Sequence, residues 1–178
     1  CMAEYKLRKA VGIICDGYGY GYDGKAWGGE IIVAKDNKFK RIAHLEYQPL
    51  IGMDAATKEP LRIALGVASK FLNENEIKRL FKNRVKQEII DVWLKQLSEG
   101  FNVIETSSCG RFLDAVSALL GVCERRSYEG EPAMKLESFA VNGKLLDVPV
   151  CIKEKNGMLV LETSRIFEWV INAIHNYR

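Results

Sequence analysis

Asp16 follows the apolar run Val11-Gly12-Ile13-Ile14-Cys15 and heads a glycine-rich stretch that continues to Glu30 and holds six of the fifteen glycines. A carboxylate at a strand end, followed by backbone without side chains, can bring an oxygen ligand and bare amide groups into one small space. That arrangement suits a metal ion or a phosphate. A lone carboxylate does not choose among magnesium, zinc and iron. Glycines between two strands also make ordinary hairpin turns, and Asp23-Gly24 is a common turn pair. Asp16 at the strand end rather than a turn apex, Trp27 within the stretch, and the return through Gly28-Gly29-Glu30 go beyond what a tight hairpin needs.

A second group of residues surrounds Thr106-Ser107-Ser108, which supplies caps for a helix running to about Val122. Such a helix start exposes amide groups that can hold an anion, and plain capping is the alternative. Arg111 presents a planar fork that suits either a phosphate or a carboxylate in a structural ion pair. Asp114, between Leu113 and Ala115, is either an acceptor for ligand hydroxyls or a solvent-facing helix carboxylate. Cys109 sits at the helix N-terminus with no histidine nearby in sequence and reads as a small packing residue. His44 and His175 are the only histidines and do not form a metal pair at helical spacing.

The elements that must position these residues read as a mixed α/β chain. Val11–Cys15, Gly29–Ala34 and Lys40–Tyr47 read as strands, the first continuous and apolar as in a covered sheet. A helix with an apolar stripe starts at or just before Pro60, and a second is expected from about Glu76 to Ser98, closed by Gly100. A short extended piece at Asn102–Glu105 leads into the capped helix. A helix around Pro132–Phe139, strands at Val148–Lys153 and Met158–Glu162, and a final helix at Thr163–Asn176 complete the chain.

At 178 residues and 48% hydrophobic content, the chain suits one domain or one lobe with a buried core. The 26 basic and 23 acidic residues give a net charge of +3, too balanced to argue for nucleic acid. The basic stretch Lys78–Lys95 is interleaved with Glu88 and Asp91 and reads as a solvated helix face. No apolar run has the length to cross a bilayer, and the N-terminus lacks the order of a signal peptide, so a cytoplasmic protein without a membrane partner is expected. Five cysteines without a Cys-x-x-Cys pair indicate reduced thiols rather than a zinc ribbon or a disulfide framework.

Three ordered blocks are similar to the carbamoyltransferase module of the HypF hydrogenase-maturation family. They are Asp16-Gly17-x-Gly19-Tyr20-Gly21 with Asp23-Gly24-x-x-Trp27-Gly28-Gly29-Glu30; Ala43-His44-Leu45-Glu46 through Pro49-Leu50 and Asp54-Ala55-Ala56 to Arg62-Ile63-Ala64-Leu65; and Thr106-Ser107-Ser108-Cys109-Gly110-Arg111-Phe112-Leu113-Asp114 through Leu119-Leu120-Gly121 to Tyr128-Glu129-Gly130. The resemblance runs from about Val11 to Glu137, with weaker agreement beyond. It implies an α/β fold with helices covering a mixed sheet, part of an actin-like ATPase (ribonuclease H-like) two-lobed module. It implies an ATP-derived adenylate as cofactor, with Gly17, Gly19, Asp114 and Gly130 at the nucleotide and Asp114 accepting from ribose hydroxyls. Asp16 matches a ligand for a divalent metal, zinc, iron or magnesium.

The implied activity moves a carbamoyl group from carbamoyl-adenylate to the C-terminal cysteine of an acceptor protein in nickel-iron hydrogenase maturation. Two alternatives stand beside it: a related small-molecule O-carbamoyltransferase, and a non-catalytic nucleotide-binding or interaction remnant of the fold. The family's upstream histidine pair and later Ser-Gly-Gly segment have no counterpart in the 178 residues, so the metal site is expected to be incomplete and the isolated chain a poor catalyst. The expectation for residues 1–178 is accordingly one domain or lobe, a fragment of a larger carbamoyltransferase module. Within the second block, Met53 departs from the family by standing where a second glycine is usual. Just beyond the third, Lys135 stands where an acidic or neutral residue is common.

Overall fold

The structure, a computed structural model, describes residues 2–176; Cys1 and the side chain of His175 lie outside the described residues. The chain begins with a β-hairpin of β1 (Lys9–Tyr20) and β2 (Ala26–Lys35), followed by β3 (Lys38–Leu45) and β4 (Gln48–Ile51). Four helices come next: α1 (Asp54–Lys58), α2 (Pro60–Ala68), α3 (Glu74–Phe81) and α4 (Gln87–Glu99). Then β5 (Val103–Thr106) leads into α5 (Cys109–Leu119) and α6 (Glu131–Ala140). Strands β6 (Ile152–Lys155) and β7 (Met158–Leu161) and the terminal α7 (Thr163–Asn176) finish the described chain.

The strands form one mixed sheet in the order β4-β5-β2-β3-β7-β6, with β1 paired to the other side of β2. The β2–β5 and β3–β7 pairs are parallel and the others antiparallel. Parallel neighbours need long crossovers: β3, β4 and helices α1–α4 lie between β2 and β5, and the elements from β4 to β6 lie between β3 and β7. The core lies between β4 and the helices. Leu50 and Ile51 pack with Ile63, Leu65 and Val67 of α2, Phe81 of α3, Ile90 and Trp93 of α4, Ala115 and Ala118 of α5, and Phe167 of α7. Pro60 opens α2, where its missing N–H costs nothing, and Gly100 ends α4 in the left-handed region at φ 65°.

The helix expected over Glu76–Ser98 is two helices, broken at residues 82–86. No glycine or proline causes the break. Arg84 at its centre turns its guanidinium to the C-terminal carbonyls of α5, donating to Leu119 O at 3.0 Å and to Ala118 O, and pairs with Glu124 at 2.6 Å. A cation at those carbonyls satisfies acceptors that α5 cannot satisfy itself.

The apolar run at Val11–Cys15 is not a covered strand. It belongs to β1, whose only strand partner among the described residues is β2, and Val11 and Ile13 are exposed. Strand β4 and the short α1 carry too little periodicity to be read from sequence, and Pro49 inside β4 argues against a strand there.

Candidate functional site

Asp16 does not end a strand; it sits in a bulge inside β1. Pairing with β2 runs in register to Cys15 opposite Gly29, breaks, and resumes at Gly19 opposite Trp27. Residues Asp16, Gly17 and Tyr18 therefore face the single residue Gly28, and the extra backbone arches out of the ladder. The hairpin turn lies beyond, where Gly21 N–H donates to Lys25 O at 2.9 Å. The glycine-rich stretch thus contains both a turn and a bulge, and the carboxylate belongs to the bulge.

Helix α5 meets that bulge end-on. The Ser108 hydroxyl accepts the N–H of Arg111 at 3.0 Å, capping the helix, and lies 2.7 Å from Asp16 O and 2.8 Å from Gly17 O, to either of which it can donate. The packing is tight around two glycines. A Cβ on Gly28 would lie 2.5 Å from Asp16 O, and one on Gly110 would lie 3.0 Å from Gly17 Cα.

Behind the bulge is a buried ionic network. Glu30 accepts from Gly28 N–H at 2.8 Å, from Arg41 Nη2 at 2.8 Å and from the Ser107 hydroxyl. Arg41 also donates to Tyr47 OH at 2.6 Å and lies over the Trp27 ring at 4.1 Å. Trp27 Nε1–H and Tyr47 OH both donate to Asp23, at 2.9 and 2.5 Å, locking the hairpin turn onto the link between β3 and β4. The tryptophan that looked out of place in a turn is the lid of this arginine site.

The bulge and the first turns of α5 and α6 surround a cavity of about 310 Å³, lined among others by Asp16, Gly17, Arg111, Asp114, Glu129 and Gly130. Asp114 is not solvent-facing: it is 1% exposed, and its Oδ2 lies 3.1 Å from Arg111 Nη1. Even so, neither carboxylate oxygen accepts a hydrogen bond of good geometry, and Arg111 Nε is also unpartnered. Buried polar atoms rarely stay orphaned, so this pair is arranged for something that supplies donors. Burial raises the Asp114 carboxyl to about 6, against the pull of Arg111 and Arg126. Burial likewise lowers the Arg111 guanidinium, which Asp114 partly restores.

Gly130, at φ 78°, turns the chain into α6 on the far side of the cavity. That turn is pinned by Glu131, which accepts from the Ser127 hydroxyl at 2.9 Å and the Ser127 N–H and pairs with Lys135 at 2.7 Å. Lys135 and Ser127 hold the Glu131 carboxyl down to about 2. Of the sequence candidates, Asp16, Gly17, Asp114 and Gly130 come together here. Gly19 does not line the cavity; it resumes strand pairing opposite Trp27.

His44, in β3, is buried with its Nδ1 2.7 Å from Leu45 O, and burial pushes its pKa down. Among the described residues no group of three or more His, Cys, Asp or Glu side chains is placed to hold a metal, so Asp16 offers a single carboxylate. The sequence reading missed Glu129 and Gly110 as cavity residues, and missed that Cys15 lies against Cys109. Gly110 was legible in the Ser-Ser-Cys-Gly-Arg order; the cysteine pair, separated by a strand order that only the fold reveals, was not. No described helix is long and apolar enough to cross a membrane.

Residues 12–178 match the family described as the second subdomain of the Kae1-like domain of carbamoyltransferases. The probable carbamoyltransferase HypF of Methanocaldococcus jannaschii is 42% identical over 153 residues, covering 84% of this chain and 20% of that protein. A carbamoyltransferase HypF homolog of Cupriavidus necator is 36% identical, covering 85% of this chain and 39% of its own length. Among solved structures, T. kodakarensis HypF superposes with a TM-score of 0.87 at 38% identity, covering 98% of this chain and 24% of that one. Full-length HypF in its phosphate- and nucleotide-bound form gives 0.83 at 37%, covering 97% and 28%. The chain therefore spans roughly a fifth to two fifths of the proteins it matches. Its mixed sheet and helices are those of the Kae1-like, actin-like ATPase fold, and the chain belongs to the HypF carbamoyltransferase family.

Proposed function

We propose that this chain forms one lobe of a carbamoyltransferase module and supplies the adenylate-binding wall of its active site. The observation that carries the reading is the buried Asp114 carboxylate on the cavity, ion-paired with Arg111 but accepting no hydrogen bond at either oxygen. Two ribose hydroxyls would satisfy those oxygens, and Gly17 and Gly130 leave backbone open to the nucleotide. The full-length structural relative described as phosphate- and nucleotide-bound supports a nucleotide at this fold.

In the proposed reaction the thiolate of an acceptor protein's C-terminal cysteine attacks the carbamoyl carbon of carbamoyl-adenylate. A sulfur–carbon bond forms, the carbon–oxygen bond to the phosphate breaks, and AMP leaves with that electron pair. The acceptor is a hydrogenase-maturation protein, and the setting is the cytoplasm. This chain's part is to hold the adenylate: Asp114 fixes the ribose, with Arg111 holding that carboxylate in place, and the bulge at Asp16–Gly17 borders the reacting end. A divalent metal, when bound, would polarise the carbamoyl carbonyl, with Asp16 as one ligand. The described residues do not complete such a site.

Calorimetric titration of AMP into the chain tests the reading. Saturable binding is expected, weakened about 10-fold or more by Asp114→Asn, the scale of a lost hydrogen bond to a charged group. No saturable binding, or equal affinity in the variant, contradicts it.

A further inference from the structure

The fold sets Cys15 and Cys109 side by side. Cys15 is the last residue of β1 in register with β2 before the bulge, and Cys109 is the first residue of α5. The segments that carry them are clamped by the Ser108 hydroxyl on the Asp16 and Gly17 carbonyls, at 2.7 and 2.8 Å. Both cysteines line the cavity of Asp16 and Asp114, and both line a second, apolar cavity on the other side, with Ile14, Leu45 and Leu161. The two thiols thus stand together on the wall between the cavities, close enough that Cys15, after burial, raises the Cys109 thiol pKa. Cys15 is exposed and Cys109 half-buried. The other described thiols are engaged elsewhere: Cys123 faces Arg125 O at 3.4 Å and Cys151 faces Glu162 Oε2 at 3.1 Å.

We propose that Cys15 and Cys109 are a redox-modification site, forming a reversible intramolecular disulfide that ties β1 to α5 at the cavity wall when a low-molecular-weight disulfide is present. The exposed Cys15 attacks the small disulfide as its thiolate, forming a mixed disulfide and releasing one small thiol. Cys109 then attacks the Cys15 sulfur, and the second small thiol leaves. Two protein thiols are oxidised to one disulfide and one small disulfide is reduced to two thiols, which take up the two protons. The bond would fix the bulge that carries Asp16 against the helix that carries Asp114, whatever ligand fills the cavity.

The test is incubation of the full chain with glutathione disulfide, followed by peptide mapping without reductant. A Cys15–Cys109 cross-linked peptide pair, two hydrogens lighter than the separate peptides and reopened by dithiothreitol, is the expected result. Cys109→Ser should stop at one glutathione on Cys15, and Cys15→Ser should lose the cross-link. A folded chain that yields no Cys15–Cys109 cross-link overturns the proposal. So does one that forms it no faster than the same chain in concentrated urea, since proximity in the fold would then contribute nothing.

Discussion

The hydroxyl of Ser108 lies 2.7 Å from the backbone carbonyl of Asp16 while it accepts the N–H of Arg111 at 3.0 Å. One side chain therefore caps the helix that carries Asp114 and holds the bulge that carries Asp16. The two halves of the candidate site are set relative to each other by this bond and by the close approach of Gly28 and Gly110. Ser108→Ala should cost about 1–2 kcal/mol of stability, the upper part of the range for a lost N-cap, because it frees the bulge as well. Urea denaturation checks the loss, and hydrogen exchange should quicken around Asp16 and the first turn of α5.

Arg41 and Glu30 form the buried ion pair beneath the hairpin, with Arg41 Nη2 2.8 Å from Glu30 Oε1 and both side chains nearly inaccessible. Removing one charge leaves the other buried and unpaired. Arg41→Met is expected to destabilise the fold by about 3–5 kcal/mol, whereas replacing both residues with apolar ones should recover much of that loss. Thermal unfolding of the single and double variants measures the difference.

Met53 adopts φ 50° and ψ −110°, a conformation that glycine enters freely and a methionine does not. Its side chain is partly exposed and contributes nothing to the core cluster. Met53→Gly should therefore stabilise the chain by about 1 kcal/mol, the low end of what such backbone strain costs. A rise in Tm supports this; a fall would show that the Met53 side chain matters more than its backbone.

Much of the fold was legible because its signals are local. The apolar stripe after Pro60, the Gly100 stop, the Ser108 cap and the final helix at Thr163–Asn176 all stand where the sequence puts them. What was not legible depended on distant partners. The break between α3 and α4 brings Arg84 to the end of α5, and β1 pairs, among the described strands, with β2 alone. In the site, the glycine order pointed to Asp16 and Gly17, but their bulge depends on a register that only pairing with β2 defines. Asp114 could be read as buried or solvated until the packing of α5 against β1 and α6 decided it.

Carbon NMR of the Asp114 side-chain carboxyl would register the hydroxyls of an adenylate placed on it. In the free chain burial raises this group from 3.8 to about 6. Its ionisation thus opposes folding: the cost is absent below the unfolded pKa, grows as pH rises between the two values, and is complete above the folded one, at about 3 kcal/mol. Hydroxyl donors favour the charged form, so saturating AMP should lower the folded pKa toward the ordinary carboxylate range, and AMP should bind more weakly as pH falls below about 6. An Asp114 titration midpoint near 6 that drops with AMP is the predicted result. A midpoint unmoved by saturating AMP would mean that no nucleotide hydroxyl reaches Asp114.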